Sequence, residues 1–317
     1  MSINPFKAFI PYIVNLPDWD KIEGNHIVSD PSAGEWRRTG LVPAISGETL
    51  DIDLQGAATL MAVQFNERIL PGKVRDEEVI KRVNKLQAQE GRKVSKKEYA
   101  ELRQQTEFDL LPRAFIRRTV VPVLFFLWAD GSTSVWMMLI CTSSQKKADD
   151  CVAVMRGVFG EELRPWQMAL KRDPAASFRA MVLDTGSLTP DTFIPNDSVV
   201  LKGADKKTIR FKDKPIEDAD CLQCIESEDY RITEIGMLWD QSEQQETPDL
   251  EFVVTENLTF KGIVAPGIKP TMLKDDQHGF AVLCMQNYKA MLRQFFTAFG
   301  PVAERPAPTS TVNVDDL

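Results

Sequence analysis

Residues 67–118 constrain the fold more than any other part of the chain. They are too charged to be core, yet they are flanked by two apolar runs, 58–65 and 119–128, that read as strands. Positions 68–118 carry 14 Lys and Arg against 8 Asp and Glu, a local charge of +6. Within them Val79, Val83 and Leu86 recur at helical spacing, Asp76-Glu-Glu78 is suited to a first helical turn, and Gly91 supplies a stop. Ser95-Lys-Lys-Glu98 is a capping-box sequence, and Tyr99, Leu102 and Thr106 continue a second helical stripe. The pattern predicts an antiparallel helical hairpin with Arg92, Lys93, Lys96 and Lys97 at its exposed turn.

The charge of this segment stands out because the whole chain carries −8, so the remainder holds −14. A second basic run, 202–214, has six cations (Lys202, Lys206, Lys207, Arg210, Lys212, Lys214) against Asp205 and Asp213. An acidic chain with two basic segments has the charge pattern of one basic face on an acidic body. Basic residues at a hairpin turn are usually only solvated, but two separate clusters shift the balance towards a polyanion partner.

Elsewhere, 7–14 reads as a strand, 15–34 as turn-rich, and 119–128 with 134–141 as a hairpin around 129–132. Residues 146–159 read as an amphipathic helix with Cys151, Val154 and Val158 inward, and 216–225 as a short helix. A hairpin is expected over 250–255 and 258–264, then an apolar strand at 280–284 and a helix over 286–299. The fold class predicted is α+β. Residues 1–66, 119–165 and 232–300 form a central antiparallel-sheet and helix body, 67–118 is an inserted helical hairpin, 166–231 is a second α+β subdomain, and 301–317 is expected to be a flexible tail.

At 43% hydrophobic and 317 residues the chain can bury a sizeable core, in roughly two domains. No run approaches the ~18 apolar residues of a membrane span, and the opening Met1-Ser-Ile-Asn-Pro-Phe-Lys has no export signal, so a cytoplasmic protein without a membrane partner is expected. Five scattered cysteines form no disulfide framework, and Cys221-Leu-Gln-Cys224 falls in a predicted helix where packing explains it. His26 and His278 lie in no ligand spacing. Neither a phosphate loop nor a nucleophile elbow is found. No catalytic residue, metal or cofactor is therefore expected. Sequence-specific base reading has no visible carrier either, so any DNA contact should be to phosphate.

The segment from Glu67-Arg-Ile-Leu-Pro through the charged helix pair to Leu110-Leu-Pro-Arg-Ala-Phe115 resembles the recombination-associated protein RdgC family. Phe6-Lys7, Gly40-Leu-Val-Pro43, Leu238-Trp239 and Phe280-Ala-Val-Leu-Cys-Met285 extend the likeness over nearly the full length. The resemblance implies a non-catalytic, nucleoid-associated, ring-shaped homodimer that encircles double-stranded DNA without sequence preference and restrains RecA-dependent recombination. It places the family's DNA-contacting arginine on Arg92, followed by Lys93, and the phenylalanine of the finger tip, which closes the dimer, on Phe115. The family's second basic cluster, a Lys-Lys-Gln, is here Lys206-Lys207-Thr208, so Lys206, Lys207 and Arg210 are candidates by composition. Lys73, Arg75, Lys96, Lys97 and Arg113 complete the DNA-binding candidates. The alternative is a non-catalytic interaction module that docks on a replication or recombination partner through its acidic surface or through Asp315-Asp-Leu317. An enzyme built on the CxxC pair is a third reading.

Overall fold

The computed structural model describes residues 6–300, apart from 16–17, 23–26, 46–47, 57, 130–134, 161–162, 184–191, 242–248 and 266–275. The predicted α+β class holds: twelve strands form one antiparallel sheet accompanied by six α-helices among the described residues.

The sheet turns on its first strand, β1 (Ala8–Val14), which belongs to two halves at once. Ala8 and Phe9 pair with Lys261 and Phe260 of β12 (Phe260–Val264), whereas Ile10 to Val14 pair with β6 (Val135–Ile140). One half runs outward from β6 through β5 (Phe115–Ala129) and β4 (Ala58–Ile69) to β2 (Arg37–Val42). The other runs from β12 through β11 (Leu250–Thr255), β10 (Tyr230–Trp239) and β8 (Phe193–Gly203) to β9 (Thr208–Lys212). Two short strands lie off this path: β3 (Ile52–Asp53) pairs with β4, and β7 (Trp166–Gln167) with β1.

The first half is buried on both faces, which is why 119–128 and 135–140 read as continuous apolar runs rather than alternating ones. Val123, Phe125, Met138 and Ile140 share a core cluster with Ala148, Cys151, Met155 and Val158 of α3 (Gln145–Phe159). Their neighbours Leu124, Phe126, Met137 and Leu139 point the opposite way into the main core. That second core is built on α6 (Gln277–Ala298), whose Phe280, Tyr288, Met291, Phe295 and Phe296 are all buried. The expected strand at 280–284 is therefore corrected to helix. Asp276 caps this helix by accepting from the Gly279 amide at 2.7 Å, and an apolar run of that length does not by itself distinguish the two states. α4 (Pro174–Leu183) and α5 (Ala219–Glu226) add Phe178, Cys221 and Ile225 to the same core.

Other expectations shift by a few residues. On α3, Met155 rather than Val154 is the fully buried position, and Val154 is half-buried. β12 starts at Phe260, because Leu258 takes a left-handed φ of +55° in the turn before it. The turn expected at 129–132, His26 and the 301–317 segment lie outside the described residues, apart from Ala129 at the end of β5.

Candidate nucleic-acid interface

Between β4 and β5 the chain forms α1 (Gly72–Glu90) and α2 (Lys96–Leu110). α1 begins one turn earlier than Asp76-Glu-Glu78 suggests, so those carboxylates lie beyond its first turn. The helices meet through buried Val79 and Thr106, with Val83, Leu86 and Leu102 half-buried; Tyr99, expected in the stripe, is exposed. Arg82 ties them together, reaching Asp109 on α2 at 2.7 Å and Glu78 on its own helix at 3.4 Å. Gly91 ends α1 in the left-handed region at φ +67°.

The turn itself is held by Arg92. Its guanidinium grips both carboxylate oxygens of Glu98, one at 2.9 Å, and also reaches Glu90 at 2.7 Å. Glu98 simultaneously accepts from the Ser95 amide at 2.8 Å, and Ser95 Oγ accepts from the Glu98 amide, completing the capping box. The Arg92 contact, seconded by Ser95, holds the Glu98 carboxyl well below the usual carboxylate range; the same Glu98 contact and the Glu90 charge raise Arg92. Arg92 is thus a turn lock, while Lys93 and Lys96 stand exposed beside it and form no ion pair among the described residues. Among the described residues Lys97 pairs with Glu101 alone, at 4.0 Å.

At the other end of the helix pair, Arg68 is a structural clamp. Its Nη1 donates to the carbonyls of Leu111 and Pro112, each at 3.0 Å, and its Nη2 to that of Pro31 at 2.9 Å. Arg117 and Arg118 are similarly engaged, with Glu67 at 2.7 Å and Asp30 at 2.8 Å. Arg75 is held by Asp76 at 3.0 Å, whereas Lys73 and Arg113 are exposed and form no ion pair among the described residues. Phe115 is not at the hairpin turn. It opens β5, directly opposite Ile69, where the β4–β5 ladder ends and the helices begin. It is 87% exposed and Ile69 is exposed beside it, so the ladder terminates in an apolar pair facing solvent.

The second basic run forms the hairpin of β8 and β9 at the sheet edge. Val199 and Leu201 are buried, so Ser198, Val200 and Lys202, with Lys212, Arg210 and Thr208 opposite them, share the outer face. Arg210 is therefore diagonal to Lys202 across the strand pair and two residues from Lys212 along β9, so the three cations line one face of two adjacent strands, and none forms an ion pair among the described residues. The neighbouring Arg231, opposite Lys202 on β10, is by contrast neutralised by Asp173 at 2.7 Å and Glu256 at 2.6 Å.

The connecting turn hydrogen-bonds Lys206 N to Gly203 O at 3.0 Å and Gly203 N to Lys207 O at 2.9 Å. This three-residue hairpin geometry needs a left-handed residue, and Lys206 supplies it at φ +67°. Lys207 pairs with Asp205 at 2.6 Å, which lowers the Asp205 carboxyl. Gly203 leaves room for its neighbours: a Cβ there would stand 2.8 Å from Asp205 Oδ1, which would have to swing away, and 3.3 Å from the Tyr230 ring. Lys202 and Lys212 were readable only as members of a basic run. The alternation Thr-Ile-Arg-Phe-Lys over 208–212 is the signal that assigns Arg210 and Lys212 to one face.

Burial keeps three of the cysteines in their thiol form. Cys221 is buried on α5 with its thiol pushed up to about 11, and burial pushes Cys151 and Cys284 up to about 12. Among the described residues no group of three or more His, Cys, Asp or Glu could hold a metal ion, and no helix is long and apolar enough to cross a membrane.

A family model described as "Putative exonuclease, RdgC" matches residues 24–278. The Recombination-associated protein RdgC of Shewanella halifaxensis (strain HAW-EB4) is 29% identical over 229 residues, covering 71% of this chain and 72% of the relative. That of Laribacter hongkongensis (strain HLHK9) is 27% identical over 252 residues, covering 77% and 78%. That of Haemophilus influenzae (strain PittGG) is 24% identical over 263 residues, covering 81% and 82%. With its own Glu67 to Phe115 motif inside a match of this extent, the chain belongs to the RdgC family of recombination-associated proteins.

Proposed function

We propose that this protein binds double-stranded DNA through its phosphates, without reading sequence, as a ring-shaped homodimer that encircles the duplex and restrains RecA-dependent recombination. The observation that carries the reading is the outer face of β8 and β9: Lys202, Arg210 and Lys212 line it in succession with no carboxylate partner among the described residues, in a chain of net charge −8. A cluster of unneutralised cations attracts a polyanion and repels itself, so leaving three adjacent ones unpaired fits a surface whose counter-charge comes from outside. Lys206, at the turn of the same hairpin, and Lys93 and Lys96, at the turn of the helix pair, extend the set.

Lysine and arginine contacts to phosphate position a duplex without specifying its bases. Phe115, solvent-exposed beside Ile69, supports the dimer: an apolar pair at a ladder end gains stability by meeting its symmetry mate. We read the protein as non-catalytic and as acting near the nucleoid, despite the word exonuclease in the family description, because its basic surfaces suit binding rather than bond cleavage. RecA enters through the family alone. The test is a competition gel shift with unlabelled duplexes of unrelated sequence: equal competition supports the reading, and affinity that depends on sequence or ignores salt overturns it.

A further inference from the structure

The last strand of the second half-sheet leaves an edge open. Gly203 and Lys207 form a hydrogen-bonded pair at the turn, so alternation makes Leu201 with Ile209 and Val199 with Phe211 the next such pairs. The backbone N–H and C=O groups of Thr208, Arg210 and Lys212 therefore point away from β8, and no described strand pairs with them. An open edge is a template for an extended segment, and the cations on this one select an acidic segment. A second copy of β9 fits poorly: antiparallel pairing about a two-fold axis sets Arg210 against Arg210, or against Lys212 and Thr208, bringing like charges together.

We propose that residues 311–316 of the same chain add to β9 as an antiparallel strand and compete there with DNA. The sequence after Gly300 contains Thr311-Val-Asn-Val-Asp-Asp316, a period-two stretch that ends in two carboxylates. Its starting point suits the edge. Phe299, one residue before, packs its ring edge-on against that of Phe193, the first residue of β8, with the ring centres 6.0 Å apart. From Phe193 to Ser198, which lies opposite Lys212, the strand advances roughly 17 Å, and the edge is two strand spacings of about 4.8 Å beyond. Residues 301–310 can cover up to roughly 33 Å. A segment leaving from this end runs in the direction of β8 and hence antiparallel to β9, as every other named pair in the sheet does.

One register satisfies both chemistry and face. With Val312 opposite Phe211 and Val314 opposite Ile209, the valines join the half-buried inner side of β9. Asn313 then stands opposite Arg210, Asp315 stands beside Thr208 and diagonal to Arg210, and Asp316 reaches the turn at Lys206 and Lys207. The carboxylates occupy positions that phosphates would take, and tethering gives them an effective concentration on the order of millimolar. The competition rests on the DNA reading above; the docking does not.

Hydrogen exchange on the full chain without DNA, at two protein concentrations, decides the docking. In the parent, the amides of Thr208, Arg210 and Lys212 should exchange at least ~10-fold more slowly than in Asn313→Pro, which removes the N–H opposite Arg210, or in the Asp315→Asn, Asp316→Asn double variant. Equal exchange in parent and variants overturns the proposal. Protection that rises with concentration and survives the substitutions also overturns it, since a second copy then holds the edge. In a parallel gel shift at low salt, both variants should bind duplex several-fold more tightly than the parent. Unchanged affinity with retained exchange differences overturns the competition, and no binding by any form defeats the DNA reading while leaving the docking result intact.

Discussion

Lys206 holds a left-handed backbone angle, φ +67°, that glycine adopts freely and a lysine does not. The angle costs a non-glycine residue roughly 1–2 kcal/mol, and a residue kept there against that cost points to a role for its side chain. Lys206→Gly should therefore raise stability by about 1 kcal/mol in urea denaturation, while making the salt dependence of duplex binding shallower by about 0.9, the slope of a single neutralised phosphate. An unchanged slope would show that Lys206 touches no phosphate. Arg92 illustrates the opposite case, a family DNA contact by resemblance whose charge is engaged within the turn by Glu98 and Glu90. Because the folded Glu98 carboxyl is depressed, its contribution is complete above the unfolded value near ~4.3 and is lost as pH falls towards the folded value. The exchange protection of the Gly91 and Tyr99 amides, corrected for intrinsic rate, should drop between about pH 5 and pH 2, and Glu98→Gln should abolish that pH dependence.

At the scale of elements, cations of equal formal charge divide into those that build the hairpin and those that face solvent. Arg68 satisfies the carbonyls of Leu111, Pro112 and Pro31, whereas Arg113, two residues beyond Leu111, is exposed and forms no ion pair among the described residues. Arg68→Met should cost about 2–4 kcal/mol in urea denaturation by leaving those carbonyls unpaired, and Arg113→Met should stay within about 0.5 kcal/mol. Charge counting over 68–118 treats the two alike, because it sees composition and not hydrogen bonds. The helix pair was readable since capping box, glycine stop and periodicity agree; its start was not, because α1 opens at Pro71-Gly72 with no side-chain cap. Phe280 to Met285 misled because an all-apolar run carries no period, whereas the alternation in β9 carried its face directly. The candidate basic runs were visible in composition, but which of their members are free of carboxylates depends on partners as distant in sequence as Asp30 and Arg118.

For the whole molecule, the two halves of the sheet joined through β1 carry the helix hairpin on one half and the cationic edge on the other. A homodimer would present each of these surfaces twice and would cover the apolar pair of Ile69 and Phe115. Light scattering at micromolar concentration should give about twice the 35.8 kDa chain mass, and Phe115→Ser should weaken the dimer or its retention of DNA while leaving the circular dichroism spectrum unchanged, as expected of an 87% exposed residue. The most direct test of the phosphate-binding account is duplex affinity measured across salt for the parent and for the triple variant Lys202→Gln, Arg210→Gln, Lys212→Gln. If six to ten phosphates are neutralised, the parent should lose roughly 10³ to 10⁵ in affinity between about 50 and 200 mM salt, and the variant's slope should be shallower by about 0.9 for each phosphate no longer neutralised. A parent whose affinity does not change with salt, or a triple variant with the parent's slope, would contradict the account.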